Sequence, residues 1–124
     1  MTPDEWIRQS DYDFQTAEHM FSGRRYFYAV FMCHLAVEKA LKGLYQHVRN
    51  ELPPRTHNLV YLASKAMAEP DSKTGKFVAR LNQASVATRY PEDLAKLEAI
   101  YTKEITRATL DESREFLSWI RKEF

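Results

Sequence analysis

Glycine and cysteine are nearly missing from this chain. Three glycines among 124 residues leave little room for tight hairpins or for a loop that wraps a phosphate in backbone N–H groups. A single cysteine excludes an internal disulfide and suits a reducing compartment, so the expected location is cytoplasmic. No apolar run approaches the length that crosses a bilayer, and the opening MTPDEWIRQSDYD is too acidic and polar for a signal peptide. A soluble protein with no membrane contact is expected. Walker and dinucleotide fingerprints are absent, as is HExxH. None of the four histidines has a glutamate three residues before it, which disfavours a carboxylate-bridged dimetal bundle. His34, Glu38 and His57 are too generically spaced to mark a metal site. Neither a metal nor another cofactor is expected.

What the chain does contain is the material of an ordinary globular protein, 44% hydrophobic and 28% charged. Residues 1–124 are expected to form one domain, long enough for a real core. The net charge of +1 conceals an uneven layout: residues 1–22 carry −4, residues 23–91 carry +7 and residues 92–124 carry −2. A basic middle between acidic ends fits helices that complement one another. It also fits a surface for phosphates or an acidic partner.

Helical periodicity runs through most of the sequence. Thr2, Pro3 and Glu5 read as a capped helix start, followed by Trp6, Ser10, Asp13, Phe14, Ala17, Met20 and Phe21 at helical spacing, with Gly23 as the stop. A second helix runs from about Arg25 to Asn50, before Pro53-Pro54. Val30, Val37, Leu41, Leu44 and Val48 form its apolar stripe, flanked by Cys33 and Ala40 on one side and by Phe27 and Tyr45 on the other. Thr56 is expected to begin a third helix with Leu59, Leu62, Ala63 and Met67 inward. AEPDSKTGK reads as a loop. A fourth helix, FVARLNQASVATR, presents Phe77, Leu81, Ala84 and Val86 and is ended by Pro91. After a short segment, DLAKLEAI, Thr102 caps a last helix whose apolar side holds Ile105, Ala108, Leu110, Phe116, Leu117 and Ile120. The fold expected is all-α, an up-and-down four-helix bundle with a short additional helix.

Certain polar residues sit where an oily face should be. His34 and Glu38 lie one turn apart on the flank of the second helix, and Asp13 lies on or beside the inner face of the first. A buried carboxylate is costly unless paired or hydrogen-bonded. Cys33, on the inner stripe, reads as a packed thiol. Three local signatures accompany these residues. In A-V-E-K-A-L-K, Glu38 and Lys42 stand in the orientation that favours an ion pair. That pair either satisfies Glu38 structurally or directs Lys42 or an arginine toward a phosphate. In P-R-T-H-N-L, His57 at a helix start faces an anion or merely packs on the preceding helix. In T-R-Y-P-E, Arg89 suits the negative end of a helix that Pro91 stops.

Taken together and in this order, HLAVEKALKGLY, PRTHNLVYLA and VATRYPEDL, with the opening WIRQSDYDFQTAEHM, resemble the HEPN family. Its stand-alone prokaryotic members carry an A-x-E-K-x-x-K helix, a T-H helix start and R-Y-P. The resemblance spans Trp6 to the last helix. It implies a helical bundle that pairs as a homodimer and is often encoded beside a minimal nucleotidyltransferase, forming a toxin–antitoxin-like module. Other members are metal-independent ribonucleases with an Arg, four to six residues, then a His. This chain lacks that pair: before His57 the arginine positions hold Asn50, Glu51 and Leu52, and before His47 they hold Ala40, Leu41 and Lys42.

The expected function is therefore binding of a nucleotide or a nucleic-acid phosphate such as RNA, by a homodimer that partners a nucleotidyltransferase chain. Lys42, His57 and Arg89 would be the positive contacts, Tyr90 a stacking surface, and Asp13 and Glu38 the orienting carboxylates. The alternative is a purely structural polar network whose only output is dimerisation. A ribonuclease built from His57 and Arg89 ranks third, and no catalytic residue is assigned.

Overall fold

A computed structural model describes residues 1–67 and 70–124. Among them are six helices and no strand: α1 Pro3–Ser22, α2 Tyr26–Arg49, α3 Leu59–Ala66, α4 Ser72–Arg89, α5 Leu94–Ile100 and α6 Lys103–Lys122. Local chemistry sets most of these boundaries. Thr2, Asn58, Asp71, Asp93 and Thr102 each accept a backbone N–H of the following first turn, which satisfies a donor the helix cannot satisfy itself. Asn50 ends α2 in the left-handed conformation at φ 52°, one that asparagine tolerates well.

α2 is the central rod. α1 packs antiparallel to it: Pro3 and Trp6 lie against Gly43 at one end, and residues 23–25 join the two helices at the other. Arg89 lies over Phe31 near the start of α2, so α4 also runs antiparallel. α6 returns parallel to α2, from Arg107 beside Phe21 to Phe124 stacked on His47. The result is an up-and-down four-helix bundle of α1, α2, α4 and α6. The short α3 runs alongside α2, with Arg49 Nε donating to the Lys65 carbonyl at 2.9 Å. α5 is a second short helix, where the sequence predicts one clear addition.

The core forms where α2 meets its neighbours. Val30, Val37, Leu41 and Leu44 are buried as expected, with Leu59 and Leu62 of α3, Phe77 and Leu81 of α4, and Leu110, Leu117 and Ile120 of α6. Each such side chain contributes about 1.5–3 kcal/mol by leaving water. Cys33 is fully buried and its thiol is pushed up to about 12 by desolvation, so it is a packing group and not a nucleophile at neutral pH.

Certain expectations fail for identifiable reasons. Val48 is exposed because it lies in the last turn of α2, beyond the reach of its neighbours. Val86, Ile105 and Ala108 are exposed as well. On α6 Leu110, Phe116, Leu117 and Ile120 are buried as expected, while Thr106 and Ser113 take the inward places expected of Ile105 and Ala108. The segment read as a loop is partly helix, because Asp71 caps α4 at Ser72 and carries Ser72–Lys76 into it; Ala68 and Glu69 lie outside the described residues. Thr56 does not open α3. Its hydroxyl accepts the Asn58 N–H at 3.1 Å in a tight turn, and Asn58 is the cap.

Candidate functional site

Glu38 is the hub of a polar cluster on α2. Its Oε2 accepts from Lys42 Nζ at 3.0 Å, one helical turn on, and its Oε1 accepts from His57 Nδ1 at 2.9 Å. Both Glu38 and Lys42 are buried. Ammonium and imidazole together replace the water the carboxylate gives up, which answers why an acid tolerates that position. Lys42 Nζ also stands 5.6 Å from the centre of the Trp6 ring, a cation–π contact that encloses its charge further.

His57 stands before α3, in the irregular segment that returns from the end of α2. Because α3 begins two residues later, His57 is not at the first helical position and owes nothing to a helix N-terminus. Two α2 residues fix it instead. Glu38 holds its ring, and His34 holds its backbone, with Nε2 lying 3.1 Å from the His57 carbonyl. A carbonyl accepts only, so His34 carries its proton on Nε2. Its Nδ1 is then bare, has no hydrogen-bond partner among the described residues, and faces Glu38 Oε1 at 4.0 Å. Burial lowers the His34 pKa to about 4, against the opposing pull of Glu38, so the ring is neutral at pH 7. The His57 side chain, in contrast, is 62% exposed. With Nδ1 on the carboxylate, Nε2 is the end left for solvent.

Arg89 closes α4 over the Phe31 ring, 5.3 Å from its centre, and has no carboxylate partner among the described residues. Its positive charge contributes to the lowering of the His34 pKa. Phe31, His34, Glu38 and Lys42 follow at three- and four-residue steps along one line of α2, so Arg89 and His57 are successive features of a single stripe. Lys42 lies at its far end, about 16 Å along the axis from Phe31 at 1.5 Å per residue, and Glu38 occupies it.

The structure does not bring all the expected residues together. Asp13 is buried, but its partner is Lys39, with Nζ 2.8 Å from Oδ2, an ion pair by distance although off the direction a hydrogen bond needs. Adjacent residues on a helix point about 100° apart, so the Glu38-Lys39 dipeptide fastens two different neighbours to α2: α1 through Lys39, and the segment before α3 through Glu38. Tyr90 is 77% exposed beyond the end of α4. Sequence reading missed Trp6, Phe31 and Lys39 as parts of this arrangement. Only His34 gave a signal, its spacing from Glu38; its partner is a backbone carbonyl, which leaves no trace in residue types. Four surface grooves lie elsewhere, and their linings include none of Glu38, Lys42 and His57. Among the described residues no group of histidine, cysteine and carboxylate side chains could hold a metal, and no helix is long and apolar enough to cross a membrane.

The fold is a four-helix bundle with two short helices among the described residues, in which Glu38 and Lys42 of the central helix are buried and an exposed His57 reaches Glu38 from the segment before α3. The chain matches the HEPN domain over residues 3–123 and belongs to the HEPN family. Two crystal structures share its fold. TT1696 from Thermus thermophilus is 20% identical, with a TM-score of 0.83 over 98% of each chain. ST0689, an archaeal HEPN homologue, is 23% identical, with a TM-score of 0.81 over 99% of this chain and 98% of its own. No curated protein matches the chain.

Proposed function

We propose that this HEPN protein binds the phosphate of a nucleotide or of RNA through His57 and Arg89. The observation that carries the reading is an exposed imidazole clamped by a buried carboxylate, on the same stripe as an arginine that lacks an acidic partner. A clamped ring loses less freedom on binding, which favours affinity. Arginine offers a planar fork suited to phosphate. Tyr90, next in sequence to Arg89, supplies an aromatic surface for a base. Lys42 is the ion-pair partner of Glu38, and Asp13 serves the α1–α2 contact.

The homodimer and the nucleotidyltransferase partner belong to the same proposal. Of the aromatics at the start of α2, Phe27 is buried and Tyr26 packs on Phe21. Val86, well exposed in the last turn of α4, and Tyr28, 44% exposed at the start of α2, are the dimer-face candidates. Light scattering on the purified chain, and co-purification with a nucleotidyltransferase encoded beside it, test these two parts.

Calorimetry with a short single-stranded RNA and with mononucleotides tests the binding reading. Arg89→Ala is expected to weaken binding at least tenfold while the melting temperature stays within a few degrees, and His57→Ala to weaken it at least tenfold with some loss of stability, since Glu38 loses a partner. Wild-type protein that binds neither ligand, with Arg89→Ala or Glu38→Ala unfolding it, would favour a purely structural network. One feature supports a ribonuclease as second reading: with Nδ1 held on Glu38, the exposed His57 ring turns Nε2 outward, where an RNA hydroxyl can reach it. Metal-free cleavage of RNA, lost in His57→Ala, would establish it, and RNA left intact would remove it.

A further inference from the structure

The backbones of α4 and α6 stand apart, bridged by the Phe77 and Phe116 rings and by ion pairs from Arg80 to Glu112 and from Lys73 to Glu115. Between them lies a cavity of 390 Å³ that shares no residue with the Glu38 cluster. Val30, Phe77, Leu81 and Ala84 line it from α2 and α4, and Ile105 and Ala108 line it from α6. This explains why Ile105 and Ala108 are not core: α6 carries more apolar surface than its core contact covers, and the excess faces the cavity.

The polar lining is Arg80, Gln83, Tyr101, Thr109 and Glu112, with the Thr109 hydroxyl donating to the Ile105 carbonyl, and its surplus of donors comes from the Arg80 guanidinium. Arg80 gives one terminal nitrogen to Glu112 Oε2, which leaves the rest of its fork open. The Gln83 amide and the Tyr101 hydroxyl, both lining the cavity, have no hydrogen-bond partner among the described residues. Burial raises the Tyr101 pKa, so its hydroxyl stays a donor. The one carboxylate present, Glu112, is already held by Arg80. Liquid water takes about 30 Å³ per molecule, so the space admits about a dozen non-hydrogen atoms.

We propose that this cavity binds a small amphiphilic carboxylate, its apolar chain or ring against Val30, Leu81 and Ile105 and its head group on Arg80, Gln83 and Tyr101. The size falls within the range of small-molecule sites, and an apolar lining with a few converging polar groups is their usual form. Donor excess is what selects an anionic head over a cationic one.

Calorimetry on the full chain with octanoate, octanol and octylamine tests the proposal. Expected is saturable one-to-one binding of octanoate, at least tenfold tighter than octylamine. Arg80→Gln should weaken octanoate at least tenfold and leave octanol unchanged, and Ala108→Trp should abolish both by filling the space. Because that last variant bears on folding, wild-type methyl shifts under octanoate give a second readout, with the largest changes expected at Ala84, Ile105 and Ala108. Absence of saturable octanoate binding, octylamine binding as tightly, or shifts confined to other residues would overturn the proposal.

Discussion

Burial of His34 makes stability depend on pH in a defined direction. Its folded pKa of about 4 lies below the ordinary 6.5, so between those values the unfolded chain holds more protons at this residue than the folded one. The contribution is fully present above pH 6.5 and is lost as pH falls through 4, with a magnitude of about 3 kcal/mol. Urea unfolding at pH 7 and at pH 4 should show a smaller loss for His34→Gln, which keeps a side-chain donor for the His57 carbonyl but cannot titrate. An equal loss in both proteins would contradict the assignment. Glu38 gives a sharper contrast. Glu38→Gln leaves the Lys42 charge enclosed without its partner and should cost about 3–5 kcal/mol. Glu38→Gln with Lys42→Met removes both charges and should recover more than half of that loss in the same unfolding assay.

Helix ends and helix contacts offer tests of their own. Gly23 reads as the residue that stops α1, yet its φ is −84°, which any residue adopts. The left-handed position is Arg24 at φ 62°, whose N–H donates to the Phe21 carbonyl while that of Arg25 donates to Met20. Relief of that conformation in Arg24→Gly should raise stability by about 0.5–1 kcal/mol, measured as a higher melting temperature. Gly43 behaves oppositely. A β-carbon there would come within 3.0 Å of Trp6 Cβ and 3.2 Å of the Pro3 carbonyl, so α1 would have to shift. Gly43→Ala should cost about 1–3 kcal/mol even though alanine favours helix by about 1 kcal/mol. Such contacts explain what sequence reading could and could not reach. α1, α2 and α6 were legible because caps and period mark them within a few residues. The start of α3 was not, since Thr56 and Asn58 are both capping residues and only the path of the chain selects Asn58. Ile105 and Ala108 look like core because periodicity reports apolar surface and not whether another helix covers it.

At the scale of the whole molecule, only a small part of the uneven charge is internal complement. Lys39 with Asp13, Lys73 with Glu115 and Arg80 with Glu112 join the basic middle to the acidic ends. The exposed pairs among them contribute little stability but consume cations. Arg24, Arg25, Arg49, Arg55, Lys65, Lys76 and Arg89 have no acidic partner among the described residues, and of these Arg89 lies over Phe31 on the α2 line that His57 meets at Glu38. Glu38 and Lys42 could be paired from the sequence, whereas the third member could not: His57 reaches Glu38 only because the chain doubles back after α2. Nuclear magnetic resonance of the histidine ring nitrogens, during titration with a short single-stranded RNA, tests the central claim most directly. The account predicts His57 protonated on Nδ1 with its Nε2 signal shifting to saturation, while His34 stays neutral and protonated on Nε2. A His57 ring that ignores saturating RNA, or one that carries its lone proton on Nε2, would contradict it.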